Sequence, residues 1–202
     1  MKMLTMQSEN DIMEEIINEI KSLAESADKN VLIAIDGRCA SGKTTFAGHL
    51  SEVLECNVFH MDDFFLRPEQ RTAERLKEPG GNVDRERFSE EILTPLTEEA
   101  DSIVYRKFDC HTMSLQSPVT VSPKKINIVE GAYSCHPDLI DKYDMKVFFD
   151  ITKELQKERI LNRNGSKQWE VFRDRWIPME ERYFEEFGIR DRCDMCVNGY
   201  SK

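Results

Sequence analysis

Short apolar runs alternate along this chain with longer stretches in which apolar residues recur at helical spacing. Compact apolar runs are typical of buried strands, whereas apolar positions three or four apart are typical of one helix face. The runs predict strands over 31–36, 56–60, 102–106, 125–130, 145–150 and 193–197. The longer stretches predict helices over 8–27, 43–55, 86–99, 152–163 and 168–187. This alternation predicts a doubly wound α/β fold, in which a mostly parallel sheet carries helices on both faces.

Three polar stretches interrupt the alternation. Residues 64–85 include the turn sequence Pro79-Gly80-Gly81, and residues 107–124 include two prolines and several Ser and Thr. Excursions of this kind from a rigid sheet are where a substrate pocket is usually built, so we expect both to contribute to an acceptor site. The third stretch, 164–167, is expected to be the hinge of a small helical lid over about 159–176. The length of 202 residues predicts a single domain, with an N-terminal helical segment over 1–29.

Residues 37–44 contain a complete phosphate-binding loop of the form G-x-x-x-x-G-K-[ST]. The predicted strand 31–36 precedes it and the predicted helix 43–55 begins within it, which disfavours a chance match in an ordinary glycine turn. Backbone N–H groups at such a helix N-terminus attract phosphate. Lys43 is expected to reach the β- and γ-phosphates of a nucleoside triphosphate, and Thr44 to hold Mg²⁺. The residues expected to bind the nucleotide are Gly37, Arg38, Cys39, Ala40, Ser41, Gly42, Lys43, Thr44 and Thr45.

Composition narrows the classes of partner and compartment. The formal net charge of -10 argues against a general nucleic-acid or membrane-surface binder, which needs a basic face. The six cysteines are scattered, which suits a reducing compartment. Cys193 and Cys196 form a C-x-x-C without a second pair, so buried thiols are favoured over a redox or zinc role. No apolar run reaches the roughly 18 residues of a membrane span and no signal-peptide pattern is present, so a cytoplasmic protein is expected.

Three carboxylates come directly after predicted strands. Asp62 and Asp63 follow strand 56–60, and Glu130 closes strand 125–130. Because the C-terminal ends of parallel strands line the ligand crevice, one carboxylate is expected to take the proton of an attacking hydroxyl. Of the adjacent pair Asp62 and Asp63, one is expected to take this proton and the other to orient the hydroxyl or to bind Mg²⁺ through water. Glu130 is expected to hold Mg²⁺-bound water or a hydroxyl group of the ligand. A turn or helix-capping role stays open for Asp63, and a solvent-facing charge is the alternative for Glu130.

Two arginines are expected on one face of the predicted helix 152–163. Arg159 and Arg163 are four residues apart, which is the spacing of neighbours on a helix surface. A pair of guanidinium groups can clamp the oxygens of a phosphoryl group during its transfer. The alternative is a solvated helix face, with Glu154 or Glu158 as ion-pair partners.

Taken together, these motifs resemble the uridine kinase and phosphoribulokinase family of P-loop kinases over about residues 31–197. The resemblance implies a P-loop nucleoside triphosphate hydrolase fold with a helical lid, and ATP and Mg²⁺ as cofactors. In this family a strand ends in an Asp before an aromatic pair, and the first Asp is the general base; in Asp62-Asp63-Phe64-Phe65 that role falls on Asp62. The strand-end Glu-Gly is matched by Glu130-Gly131, and the arginines of the lid helix by Arg159 and Arg163.

The same resemblance implies where the phosphate acceptor binds. Uridine kinases contact the ribose with an Asn-x-Asp segment, which Asn82-Val83-Asp84 matches, and carry a Phe-x-x-His near the base, which Phe108 to His111 matches. Tyr105 lies three residues before that Phe, where family members usually have a Tyr two residues before it. The implied substrate-binding residues are Asp63, Asp84, Tyr105, Phe108, His111 and Glu130.

The expected reaction is therefore phosphorylation of the 5′-hydroxyl of uridine or cytidine by ATP. The Asp-Asp-Phe-Phe run and the later sequence Trp176-Ile177-Pro178-Met179 also resemble nicotinamide riboside kinases, so that acceptor stays an alternative. A GTPase is disfavoured because Asn-Lys-x-Asp and Asp-x-x-Gly are both absent. A nucleotide-binding regulator is the alternative without enzymatic activity. The expected partner is a small-molecule nucleoside, and the oligomeric state stays open, a homo-oligomer included.

Overall fold

The computed structural model describes residues 2–4 and 9–198, and it contains ten strands within these ranges. In chain order the strands are β1 Lys2–Leu4, β2 Val31–Gly37, β3 Cys56–His60, β4 Ile103–Tyr105, β5 Phe108–Asp109, β6 Ser114–Leu115, β7 Val119–Val121, β8 Ile126–Glu130, β9 Met145–Asp150 and β10 Met195–Asn198. Six of them form one sheet in the order β1-β10-β9-β2-β8-β3. Every neighbouring pair in this sheet is parallel, so the C-terminal ends of its strands meet at one edge.

Most helices lie close to their predicted positions. The helices are α1 Glu9–Ser26, α2 Lys43–Val53, α3 Ala73–Lys77, α4 Arg85–Phe88, α5 Thr94–Thr97, α6 Lys153–Val171, α7 Ile177–Phe187 and α8 Ile189–Arg192. Of these, α3 and α8 were not predicted. A π-helical segment, Ser89–Leu93, joins α4 to α5, and a second one, Phe172–Trp176, joins α6 to α7. Residue 8, where helix 8–27 is predicted to begin, lies outside the described residues. Among the described helices, none combines the length and the apolar composition needed to cross a bilayer.

Helices cover both faces of the sheet, because the central strands are apolar on both sides. All seven residues of β2 are buried. Leu32 and Ala34 pack into one apolar cluster with residues of α4 and α7, whereas Ile33 and Ile35 pack into a second cluster with residues of α1 and α2. The predicted doubly wound, mostly parallel architecture is therefore confirmed.

Two predicted elements differ from the structure in their surroundings or extent. Strand 102–106 corresponds to β4, which leaves the main sheet and pairs antiparallel with β7. The loop predicted over 164–167 is reduced to a single break at Gly165, with φ 77° and ψ 172°, inside a helix that resumes at once. Only glycine adopts this backbone conformation without strain, and nothing lies within 4 Å of the position of a Cβ atom there.

Candidate functional site

The phosphate-binding loop turns sharply from β2 into α2. Gly37 has φ 134°, and a Cβ atom on it would lie 2.1 Å from the carbonyl oxygen of Phe149 on the neighbouring strand, so only glycine fits. Helix α2 begins at Lys43, directly after Gly42 in the left-handed region. The Lys43 ammonium is 2.7 Å from the Gly37 oxygen and 2.8 Å from the Arg38 oxygen, and it donates to both. The loop therefore places its one lysine over its own backbone, beside the helix N-terminus.

A cavity of about 560 Å³, which we call the loop cavity, lies between this loop and helix α6. One wall consists of residues 40–45 and thus of the backbone that begins α2. The opposite wall carries both predicted arginines, and Arg159 Nη1 donates to the Ala40 oxygen at 3.1 Å. Amide groups at a helix N-terminus and two guanidinium groups suit a polyphosphate. The lining residues from α6 are Leu155, Glu158, Arg159, Asn162 and Arg163.

A second cavity, of about 210 Å³, lies on the other side of the loop. We call it the aromatic cavity, after its aromatic lining residues Phe65, Tyr133, Phe172 and Trp176. Its polar lining residues include Asp62, Asn82, Glu130 and Glu180. The two cavities share Ala40, Lys43, Thr44 and Arg163 in their linings. The two cavities therefore adjoin each other, with Lys43 in the lining of both.

Glu130 lines the aromatic cavity beside Thr44, a residue that both cavities share. Its side chain is 4% exposed, and the Thr44 hydroxyl donates to it from 3.2 Å. On the neighbouring strand, His60 lies opposite Glu130, and His60 Nδ1 is 2.5 Å from Glu130 Oε1. This hydrogen bond raises the pKa of His60 above its ordinary value. Thr44 and Glu130 present adjacent oxygen atoms, the donor type that Mg²⁺ prefers, and His60 holds the carboxylate by its hydrogen bond.

Asp62 faces the aromatic cavity from the helical turn Met61–Phe64 that follows β3. Its side chain keeps an accessible surface. Nevertheless, the cavity walls withdraw water from the carboxylate and raise its pKa, and the negative charge of Glu130 raises that pKa further. Lys43 and His60 act in the opposite direction. A carboxylate with a raised pKa, beside the junction of two cavities, is suited to accept a proton.

Asp63 is the residue after Asp62, but it does not line the aromatic cavity. Its Oδ2 atom is 2.8 Å from the Lys107 ammonium, and its carbonyl oxygen accepts a hydrogen bond from Arg87. It therefore ties the turn after β3 to the segment that leads into β5, and the structure does not place it in either cavity lining.

Asp84 is buried and 1% exposed. Its carboxylate accepts a hydrogen bond from the Arg87 backbone N–H at 3.2 Å, which caps α4, and it pairs with the Arg87 guanidinium at 3.3 Å. The residue of the same segment that lines the aromatic cavity is Asn82.

The other three predicted acceptor residues also lie outside the two linings. Tyr105 packs in the core against Phe64, with ring centroids 6.0 Å apart, and Phe108 is buried beneath the guanidinium of Arg71. His111 is exposed in the turn between β5 and β6. The adjacent Cys110 thiol interacts electrostatically with Asp62, so this hairpin tip lies near the aromatic cavity.

The sequence interpretation missed one whole wall of the aromatic cavity. Phe172, Trp176 and Glu180 are each four residues apart, and all three line the cavity. They belong to the helical run that includes the π-helical segment Phe172–Trp176, a type of distortion that is frequent at functional sites. The signal in the sequence was the four-residue spacing that places a glutamate on the same helix face as two aromatic residues.

Helix α7 is fixed to the phosphate-binding loop by two hydrogen bonds from its buried face. Glu180 Oε2 accepts the Cys39 backbone N–H at 2.9 Å, and the Tyr183 hydroxyl donates to Asp36 Oδ2 at 2.8 Å. Asp36 is fully buried at the end of β2 and also accepts the Cys135 N–H at 2.8 Å. Burial raises the pKa of Asp36, although these hydrogen bonds oppose the shift.

We expect the Tyr183→Phe variant to lose about 1–3 kcal/mol of unfolding free energy, because a buried carboxylate loses a donor. Urea unfolding measures the loss. Tyr143→Phe is the matched control: Tyr143 is also buried, and its hydroxyl has no hydrogen-bond partner within the described part of the chain. Equal losses in the two variants would contradict the role given to the Asp36 contact.

No protein-family model matches the sequence, and a search of curated proteins gives no match. Among solved structures, a possible uridine kinase from Bacillus stearothermophilus superimposes with a TM-score of 0.63 at 22% identity, over 91% of this chain and 99% of that one. YFH7 from Saccharomyces cerevisiae, described as a candidate P-loop kinase with a circular permutation, gives a TM-score of 0.63 at 12% identity, over 97% and 100% of the two chains. Identities this low establish the fold alone. The chain has the P-loop nucleoside triphosphate hydrolase fold.

Proposed function

We propose that this protein transfers the γ-phosphoryl group of ATP to a hydroxyl group of a small acceptor molecule. The observation that carries the proposal is the meeting of two cavities at Lys43, with the Asp62 carboxylate in the lining of the second. The loop cavity would hold the triphosphate and the aromatic cavity the acceptor. The whole chain would then be one P-loop kinase domain, with a lid over about 159–176 hinged at Gly165.

The donor side rests on the loop and on helix α6. Backbone amides at the start of α2 would bind the phosphates, and Lys43 would exchange its two carbonyl partners for β- and γ-oxygens. Thr44 and Glu130 would hold Mg²⁺, since they are adjacent and both present oxygen ligands. When bound, the ion supplies positive charge against the phosphate oxygens.

The acceptor side rests on Asp62. Its carboxylate would orient the acceptor hydroxyl and accept the proton late, because the transition state of phosphoryl transfer is loose. Arg159 and Arg163 would stabilise the charge on the equatorial oxygens of the moving group. These side chains and Lys43 would be the catalytic residues.

For the acceptor we propose the 5′-hydroxyl of uridine or cytidine. The matches at Asn82-Val83-Asp84 and at Phe108 to His111 support it, as does the similarity in fold to a possible uridine kinase. Asp84, Tyr105 and Phe108 would then shape the walls behind the acceptor, and His111 would reach it from the hairpin tip. The aromatic lining also favours the second candidate, nicotinamide riboside, whose ring can stack on it.

A panel of acceptors tests this proposal. Uridine, cytidine, nicotinamide riboside and simple sugars are each incubated with Mg-ATP, and ADP formation is measured. We expect uridine or cytidine to give the highest kcat/KM. A preference for nicotinamide riboside would select the second candidate, and ATP binding without acceptor-dependent ADP formation would favour a nucleotide-binding regulator.

Arg163→Gln is expected to lower kcat more than it weakens ATP binding. In the structure the Arg163 guanidinium lies 6.0 Å from the Phe172 ring and donates to Asn164, beside the hinge at Gly165. It would meet the phosphoryl oxygens only after the lid closes, so its contribution would fall mainly on the transition state. Steady-state kinetics and ATP titration separate the two effects.

Arg173→Gln is the matched control, because Arg173 is exposed on the same helical run and pairs with Asp174. It should leave both parameters unchanged. Equal losses of kcat and ATP affinity in Arg163→Gln would indicate a ground-state contact, and no effect would place Arg163 on a solvated face.

A further inference from the structure

Two buried polar side chains line the aromatic cavity; the proposed transfer reaction gives Glu180 no role and uses Asn82 only as part of the Asn-x-Asp match. Glu180 is 6% exposed and Asn82 is 7% exposed, and both line the cavity. We propose that Glu180 and Asn82 select the acceptor: they bind hydrogen-bond donor groups on a neutral or cationic acceptor and disfavour an anionic one. This inference rests on the proposed function and specifies the acceptor class at the same site.

Glu180 lacks a cationic partner of its own. Its Oε2 atom accepts the Cys39 backbone N–H, and none of the Lys, Arg or His side chains in the described ranges forms an ion pair with it. Burial raises the pKa of the Glu180 carboxyl, and the positive charge of Lys43 opposes this shift, although the Lys43 ammonium is directed to the loop carbonyls. A carboxylate offers about four lone-pair sites, so a hydroxyl or ammonium group of the acceptor can bind beside the Cys39 contact. Such a donor offsets the cost of burying the charge.

The charges of the lining also disfavour an anion. Three carboxylates line the cavity, on Asp62, Glu130 and Glu180, against the two cations Lys43 and Arg163. Both cations also line the loop cavity, so a bound triphosphate would attract them. An anionic acceptor would then meet carboxylates and the triphosphate at short range, in a site with little water to screen them.

Asn82 adds an acceptor atom that needs a partner. Its Oδ1 atom is buried and has no hydrogen-bond partner among the described residues. A buried amide oxygen without a donor is costly, and a hydroxyl or amino group of the acceptor would satisfy it. Both side chains therefore favour the same chemistry in the acceptor.

The test uses two nucleosides of nearly equal shape: orotidine, which carries a carboxylate on its base, and orotidine carboxamide, which is neutral. Their kcat/KM values are compared with Mg-ATP. Their binding is measured by calorimetry on protein loaded with Mg²⁺ and a non-hydrolysable ATP analogue. We expect wild type to prefer the carboxamide at least about ten-fold, because like charges at short range cost that much or more.

Two variants should shift this preference in opposite directions. Glu180→Gln keeps an acceptor for the Cys39 N–H but removes the charge, so it should reduce the preference, whereas Asn82→Asp adds a charge and should increase it. Glu185→Gln is the matched control, an equal change of charge at an exposed position of α7, and should leave the preference unchanged.

The outcomes separate this inference from the proposed function. Equal use of the two nucleosides, a preference for orotidine, or the same preference in Glu180→Gln as in wild type would overturn the inference while leaving phosphoryl transfer intact. Absence of turnover with every acceptor would refute the proposed function. In that case the binding affinities measured by calorimetry test the inference. Tighter binding of the carboxamide than of orotidine supports it, and any other result overturns it.

Discussion

Asp62→Asn is expected to lower kcat by roughly 10²-fold or more, the usual scale for a positioned general base. The amide keeps the shape of the side chain and one acceptor oxygen, but it loses the negative charge and the basicity. Because Asp62 lines the aromatic cavity and the triphosphate would bind in the other one, ATP affinity and acceptor KM should stay close to wild type. Steady-state kinetics with the best acceptor, together with ATP titration, measures the difference.

Asp63→Asn is the control, because it makes the same change one residue away. Asp63 pairs with Lys107, so its loss should weaken a surface contact and leave kcat nearly unchanged. An inactive Asp63→Asn with a nearly normal Asp62→Asn would mean that the motif alignment is off by one residue and that the base must be reassigned.

The pH dependence of wild-type activity is a second test of Asp62 as the general base. Partial desolvation by the cavity walls and the charge of Glu130 raise the pKa of Asp62, and a general base acts only when deprotonated. Activity should therefore be complete above this raised pKa and fall as the pH drops through it, at a higher pH than an ordinary Asp near 3.9 would give. A kcat/KM profile that stays flat down to that ordinary value would contradict the assignment.

Lys43→Ala is expected to reduce kcat by about 10²–10⁴-fold, the scale found when one electrostatic stabiliser of a transition state is removed. Lys43 is the lysine in the lining of both cavities, and the alanine leaves the backbone amides and the two arginines of α6 to face the triphosphate. Turnover is measured together with circular dichroism, to confirm that the fold persists.

The control for this change is Lys153→Ala, which removes an exposed lysine at the start of α6. It should retain wild-type turnover. Wild-type activity in Lys43→Ala would show that the loop is not the donor site.

Most of the sheet was predictable because each of its inner strands is a short apolar run that is buried between helices on both faces of the sheet. β2 is buried along its whole length, and its residues alternate between the two apolar clusters. The place of β4 was not predictable, because an apolar run has the same pattern in a main sheet and in a separate two-stranded one. The extent of the helix around Gly165 was also not predicted, because a glycine in a polar stretch indicates a loop. In the structure only Gly165 has a non-helical backbone conformation, and the helix continues on both sides of it.

The candidate site was predictable only where chemistry follows a strand directly. The loop, Asp62 and Glu130 meet because parallel strands end at one edge, and pairing of β3 with β8 places His60 beside Glu130. The contacts of Glu180 were not predictable, because 141 residues separate it from Cys39 and only the packing of α7 brings them together. Asp84 shows the reverse: its motif indicates a ligand contact, whereas its carboxylate is held by the backbone N–H and the guanidinium of Arg87 three residues later.

The most direct measurement follows the γ-phosphoryl group itself. ATP labelled in the γ-phosphate is incubated with Mg²⁺, the protein and uridine, and the products are separated. The proposed function requires label in uridine monophosphate or, with the second candidate acceptor, in the corresponding nucleotide, and this label should depend on Asp62 and Lys43. Label that appears only as inorganic phosphate, or that stays in ATP with every acceptor, would contradict phosphoryl transfer to a hydroxyl acceptor.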